Sequence, residues 1–179
     1  MTLTPGKSDE EWGEDAFRDA GEATFGGKQM RVLPDLNALS IQLVDDHPGH
    51  PYVAEELVPA LEGEETLLMF GYLPLRVQWV LEDMGFETVQ ARNAVSSILQ
   101  YPMESIDVDE AAVLEAYDIS AEKNHDVYDS LYVALARRAD ADTFVTTDTD
   151  FEQLCRGESF EYVNPVPDEV RSRFDSVTT

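Results

Sequence analysis

Short apolar runs alternate along this chain with longer amphipathic segments, and the alternation predicts strands and helices in turn. Residues 66–70 (TLLMF) form a continuous apolar run of strand length, which is typical of a strand buried on both faces of a parallel sheet. Shorter runs at residues 30–33, 143–146 and 160–163 predict further strands, and residues 106–108 predict a weak one. We therefore expect a parallel sheet covered by helices.

Between these runs, apolar residues recur at helical spacing. Asp35 is placed to cap the first helix, and Gly63 and Gly85 are placed to end two others. The predicted helices span residues 36–44, 50–61, 75–84, 89–99, 110–117, 128–138 and 151–154. The alternating order indicates an α/β domain with three layers, α/β/α, and a central parallel sheet.

The pattern divides the chain into three parts. Residues 1–29 are polar and acidic and are predicted to be a tail, partly disordered or helical, with a helix-like piece around residues 10–20. The ordered domain is expected at residues 30–165, followed by a C-terminal tail at 166–179. The first residues lack a signal pattern, and no apolar run approaches the roughly 18 residues that a membrane helix needs. We expect a cytoplasmic protein without membrane contact.

The charge of the chain is extreme. Asp and Glu number 37 against 12 Lys and Arg, which gives a formal net charge of -25. Dense carboxylates stay hydrated in concentrated salt, where repulsion is screened over about 3 Å at 1 M. A nucleic-acid mimic or an acidic disordered chain are the alternatives, but the acids are interleaved with apolar residues rather than run together. The composition favours a halophilic protein.

Acidic residues gather after two predicted strands and at the start of one predicted helix. Asp35 follows the first strand, Asp148 and Asp150 follow a later one, and Asp126 and Asp129 stand at the helix start. In an open parallel sheet, functional residues collect at the carboxyl ends of the strands. Clustered carboxylates suit hard cations such as Mg²⁺ and Mn²⁺. Helix capping alone would explain Asp35 and Asp129 locally, and only the joint occurrence favours a metal site.

Together these segments resemble the PIN-domain family, which includes the VapC toxins of toxin–antitoxin pairs. LPDLNAL at residues 33–39 is similar to the family's LPDxNxL opening, and HPGH at 47–50 to its His-Pro-x-His pair. YDSLYVALA at 128–136 resembles YDALYVALA, and VTTDTDF at 145–151 resembles VTxDxDF. The resemblance covers residues 30–165 and implies a PIN-like nuclease domain.

The resemblance also implies roles for the acids, with Mg²⁺ or Mn²⁺ as cofactor. Asp35 and Asp129 would bind the metal directly or through water, and Asp148 would orient a water held by the metal. These three are the expected catalytic residues. Asp150 would be a further or outer ligand, and Asp126 is weighed equally as a ligand and as a helix cap.

Two neutral residues and one departure complete the expected site. Asn37 and Thr146 would shape it as hydrogen-bond partners. The family commonly has a further metal-site glutamate in the helix after the second strand, but residues 72–81 (YLPLRVQWVL) contain no acid and carry Arg76 instead. Glu82 lies further along, where an exposed helix position is the expected placement. This departure bears on catalytic competence.

The expected function is therefore a metal-dependent endoribonuclease acting on single-stranded or loop RNA. Further expectations are a toxin role with an antitoxin protein as partner, and a homodimer. One alternative is a PIN-like regulatory or binding protein with impaired catalysis, which the missing acid supports. Another is a sugar-nucleotide enzyme that uses Asp148 and Asp150 as an Asp-x-Asp pair, but it leaves the other two motifs unexplained.

Overall fold

The computed structural model describes residues 28–174, and this part of the chain contains one parallel sheet of five strands. They are β1 (Arg31–Pro34), β2 (Thr66–Phe70), β3 (Glu104–Ile106), β4 (Thr143–Val145) and β5 (Glu161–Val163). Their order across the sheet is β3-β2-β1-β4-β5, and each neighbouring pair is parallel. The connections from β1 run towards β3, and those from β4 run towards β5. The strand order therefore reverses between β1 and β4.

Helices flank the sheet in two groups. The helices described are α1 (Leu36–Gln42), α2 (His50–Leu61), α3 (Leu73–Asp83), α4 (Thr88–Ile98), α5 (Glu110–Lys123), α6 (Val127–Arg138), α7 (Asp150–Leu154) and α8 (Asp168–Arg171). The first four pack against one another, and α5, α6 and α7 form the second group. The predicted three-layer α/β/α fold with a central parallel sheet is confirmed. None of the helices within residues 28–174 combines the length and apolar character needed to cross a membrane.

The core fixes the register of the two central strands. Leu33 and Phe144 are paired across β1 and β4, and both side chains are fully buried. Burying a side chain of this size contributes about 1.5–3 kcal/mol, so a shift of either strand would be costly. Pro34 pairs with Val145 one residue later. The residues that follow, Asp35 and Thr146, are thereby brought together at the carboxyl edge of the sheet.

Several element ends differ from the sequence expectation. Helix α3 begins at Leu73 rather than at residue 75, because Pro74 lies in the first turn, where its missing N–H leaves no hydrogen bond unmade. Helix α5 continues to Lys123 instead of residue 117 and ends at Asn124, whose φ of 50° is left-handed. Its length is fixed by tertiary contacts, since the Lys123 ammonium donates to the carbonyl of Leu154.

The edges of the sheet and the end of the chain also differ. Strand β3 spans Glu104–Ile106 rather than residues 106–108, because it pairs with β2 from Leu68 to Phe70. Helix α8 was not expected, and it lies in the segment predicted to be a C-terminal tail, where Val166 is buried. The expected helix-like piece around residues 10–20 lies outside the described residues.

Candidate metal centre at the carboxyl ends of β1 and β4

Asp35 is a buried carboxylate at the end of β1. Only 2% of its surface is exposed. Its Oδ1 accepts a 2.7 Å hydrogen bond from the Ala38 amide and caps α1, while its Oδ2 accepts a 2.6 Å bond from the Thr146 hydroxyl. Burial raises the pKa of Asp35 to about 7, helped by the charges of Asp148 and Asp129 and opposed by the two hydrogen bonds. Asp35 thus caps α1 and also lies within electrostatic reach of Asp129 and Asp148.

The segment after β4 is joined to Asp35 by a chain of hydrogen bonds. The Thr146 hydroxyl, which is fully buried, also accepts a 3.0 Å bond from the Asp148 amide. The Asp148 carboxylate accepts a 2.9 Å bond from the Asp150 amide, and its carbonyl accepts from the Tyr162 hydroxyl. These local turns hold the half-buried Asp148 carboxylate beside the end of β1.

The start of α6 contributes two acids with different tasks. Asp126 is exposed and caps the helix, because its carboxylate accepts from the amides of Tyr128 and Asp129. Asp129 is half-buried, and its Oδ2 lies 3.5 Å from Nδ1 of His125. Burial raises the pKa of Asp129, whereas the charge of His125 lowers it. The charges of Asp126, Asp148 and Asp150 raise it further. Because Asp126 makes the cap, the carboxylate of Asp129 is not used for capping.

The structure brings Asp35, Asp129 and Asp148 into one electrostatic cluster, since the charge of Asp148 raises the pKa of the other two. Asp150 is exposed and acts on Asp129. Within residues 28–174, no three His, Cys, Asp or Glu side chains approach closely enough to hold one ion directly. The donor atoms nevertheless fit a hard cation that keeps most of its waters, because Mg²⁺ is commonly bound through one or two carboxylates only.

A groove opens beside the cluster. It has a volume of about 1220 Å³. Asn37 from α1 and Asp148 line it, together with residues from the end of α3 and from α8. Asn37 is exposed there, so the site-shaping role expected for it would be exerted on a ligand in the groove rather than on the buried acid.

Three further residues border the cluster without having been expected there. Tyr132 is buried, and burial together with the charge of Asp35 raises the pKa of its phenol, while Arg76 acts in the opposite direction. Arg76 stacks over the Tyr128 ring, with Cζ 5.4 Å from the ring centroid. His125 has a buried Nδ1 without a hydrogen-bond partner among the described residues. The sequence offered one signal, the spacing of four residues between His125 and Asp129, although His125 lies before the first residue of α6.

Comparison with known proteins gives a family match and structural relatives. The model of the PIN domain family matches residues 33–157, which is more than half of the chain. The crystal structure of VapBC2 from Rickettsia felis, bound to a DNA fragment from its promoter, aligns with a TM-score of 0.58 at 15% identity, covering 75% of this chain and 98% of that one. PAE2754 from Pyrobaculum aerophilum aligns with a TM-score of 0.51 at 15% identity, covering 83% and 99%. No curated protein sequence matches the chain significantly.

Proposed function

The chain belongs to the PIN domain family, and from this premise we propose that it is a divalent-metal-dependent endoribonuclease. The observation that carries the proposal is the buried carboxylate of Asp35 at the end of β1, bonded to Thr146 at the end of β4 where the strand order reverses. The charges of Asp129 and Asp148 act on this carboxylate. A buried carboxyl whose pKa is raised to about 7 by burial and by neighbouring acids costs stability unless a cation occupies the site. Perturbed groups of this kind cluster at functional sites.

The proposed cofactor is Mg²⁺ or Mn²⁺, held by Asp35, Asp129 and Asp148 directly or through water. When bound, the metal would supply charge neutralisation and an activated water for phosphodiester hydrolysis. Asp35 is held in one orientation by Thr146 and the Ala38 amide, so its position is set before any ligand arrives.

The remaining acids divide between the site and the scaffold. Asp129 has a carboxylate that makes no capping bond, so it is available to a cation. Asp150 lies exposed at the rim, where it would bind outer-shell waters. We assign Asp126 to helix capping, because its carboxylate is exposed, unlike that of Asp35, and accepts from the first two amides of α6 that it can reach. RNA would approach along the groove, with Asn37 and Asp148 on its wall.

The cellular setting is part of the same proposal. The structural relative VapBC2 supports a toxin role with an antitoxin protein as partner, and a homodimer is proposed with it. The net charge of -25 supports a halophilic protein, and a cytoplasmic location is proposed with it.

A regulatory or binding protein is the second candidate. It is favoured by Arg76, a cation in the first part of α3, the helix in which the family resemblance implies an acid, and by the lack of three closely placed metal-binding side chains among residues 28–174. Such a protein would bind RNA or a protein partner without cleaving RNA.

Cleavage of a labelled, unstructured RNA by the full chain separates the two candidates. The assay would be run at about 2 M KCl, where repulsion among the carboxylates is screened, with Mn²⁺ or with EDTA. We expect cleavage with Mn²⁺ only, and loss of cleavage in Asp148→Asn. The matched control is Asp118→Asn, which removes an exposed carboxylate on α5 and should leave cleavage unchanged. RNA that is bound but stays intact under all conditions would support the binding protein.

A further inference from the structure

Arg76 is a half-buried cation whose neighbour is an aromatic ring rather than a carboxylate. Its Cζ lies 5.4 Å from the centroid of the Tyr128 ring. Among residues 28–174, the ion pairs that join an arginine or lysine to a carboxylate do not include Arg76; they involve Lys28, Arg31, Lys123, Arg137, Arg138 and Arg171. In a chain with a net charge of -25, an arginine outside these ion pairs can offer its charge to an external anion.

The pair borders the carboxylate cluster. Helix α3 follows the carboxyl end of β2, and α6 presents Tyr128 directly before Asp129. Tyr132 lies one turn after Tyr128 and is within electrostatic reach of both Asp35 and Arg76. The guanidinium therefore lies at the same edge of the sheet as the acids.

The chemistry of the pair matches a nucleotide. A guanidinium presents paired N–H donors that fit phosphate oxygens and stays charged at every relevant pH. Tyr128 is 60% exposed although Arg76 lies over its ring. Exposed tyrosines and stacked arginines are the side chains on which unpaired bases stack.

We infer that Arg76 and Tyr128 form a nucleotide-binding subsite beside the carboxylate cluster, where the guanidinium binds a backbone phosphate of single-stranded RNA and the tyrosine ring stacks on a base. The inference rests on RNA being the substrate in the proposed function, but it concerns binding and is tested without cleavage. It also gives a task to the position where the acid is missing, since a cation there would hold substrate instead of metal.

The test measures binding of a fluorescein-labelled oligouridylate to the full chain by anisotropy, in the Asp129→Asn background, with Mn²⁺ and at a KCl concentration where circular dichroism shows a complete fold. Arg76→Gln and Tyr128→Leu should each weaken binding at least about fivefold, the lower end expected for one stacking contact. Arg92→Gln is the matched control, because it removes an exposed arginine on α4 and should bind as the parent does. An abasic oligonucleotide of the same length separates the two contributions: Tyr128→Leu should leave its binding unchanged, whereas Arg76→Gln should still weaken it.

Salt dependence provides a second readout that a purely structural role would not move. Loss of one phosphate contact makes the slope of log affinity against log salt more positive by about 0.7 for a single strand, and Arg76→Gln should show this change while Tyr128→Leu should not. Equal affinities for Arg76→Gln and Arg92→Gln, a lowered melting temperature with unchanged RNA affinity, or no RNA binding by the parent would each overturn the inference. Binding that depends on Arg76 in a chain that never cleaves RNA would uphold the subsite and refute the nuclease.

Discussion

The hydroxyl of Thr146 donates a 2.6 Å hydrogen bond to the carboxylate of Asp35, and both side chains are buried. This bond joins the ends of β1 and β4 and is one of two hydrogen bonds that stabilise the charged form of Asp35. We expect Thr146→Val, which keeps the shape and removes the hydroxyl, to lower the free energy of unfolding by about 1–3 kcal/mol at neutral pH, because a buried charged acceptor loses a donor. Urea denaturation in concentrated KCl measures this.

The same substitution should shift activity towards higher pH. Without the Thr146 donor the pKa of Asp35 rises further, so a higher pH is needed to reach the charged form. Thr146→Ser, which retains the hydroxyl, is the control and should keep both the stability and the pH profile close to those of the parent. A Thr146→Val protein with an unchanged pH profile would show that Asp35 does not titrate in the functional range.

The pKa of Asp35 predicts a pH dependence of stability when metal is removed. Burial raises this pKa from 3.8 to about 7, so between these values the folded state holds a proton that the unfolded state has released. The contribution of Asp35 is present in full below pH 3.8 and is lost as pH rises through 7, by about 1.4 kcal/mol per pH unit in that window. In EDTA, Asp35→Asn should lack this loss, so its stability relative to the parent should increase as pH rises from about 5 to about 8. Denaturant titration of both proteins across this pH range measures the difference. Parallel pH curves for the two proteins would contradict the assignment.

Substitutions at Asp129 and Asp126 should have different effects on cleavage and on stability. Asp129→Asn should abolish RNA cleavage with the melting temperature unchanged or raised, because it removes one charge from a repelling cluster. Asp126→Ala should cost about 1 kcal/mol through the lost cap and leave the cleavage rate per folded molecule intact. Cleavage kinetics and thermal denaturation of both variants decide this. If Asp126→Ala loses activity and Asp129→Asn keeps it, the metal ligand is Asp126 rather than Asp129.

Most of the fold could be predicted, because local pattern determines it. The apolar run at Thr66–Phe70 and the helical spacing at His50–Leu61 give those two elements with their observed ends. The position of β3 could not be predicted, since it depends on partners far along the chain, such as the Arg31 guanidinium that binds Glu104. The end of α5 was placed too early, although Asn124 is a residue type that ends helices in the left-handed conformation.

The acids of the candidate site could be singled out from sequence, but their separate tasks could not. Asp126 and Asp129 are three residues apart, and only the structure shows which of them caps α6. The contact of Arg76 with Tyr128 joins two helices that follow different strands, so no spacing rule could indicate it. The arginine pair at Arg137 and Arg138 is engaged by carboxylates of Glu158, Glu115 and Asp109.

Salt should favour both folding and activity. For most nucleases added salt weakens RNA binding, because it restores counterions that basic residues had displaced. In this chain the net charge of -25 makes self-repulsion and repulsion of RNA the larger effects at low ionic strength. We expect circular dichroism and cleavage at fixed Mn²⁺ to improve together as KCl rises towards molar concentrations. If activity is highest in dilute buffer and the fold is complete there, the protein is not halophilic, and nucleic-acid mimicry becomes the better explanation of its charge.

The most direct test of the carboxylate cluster as a metal centre is to locate Mn²⁺ by anomalous scattering in crystals of the protein soaked with the ion. The account predicts a peak at the carboxyl ends of β1 and β4, with Asp35, Asp129 and Asp148 as ligands directly or through single waters. The peak should be absent from Asp129→Asn crystals and present in Asp118→Asn crystals. An ion bound elsewhere, or no ion at this edge of the sheet at saturating Mn²⁺, would contradict the metal centre and with it the proposed nuclease.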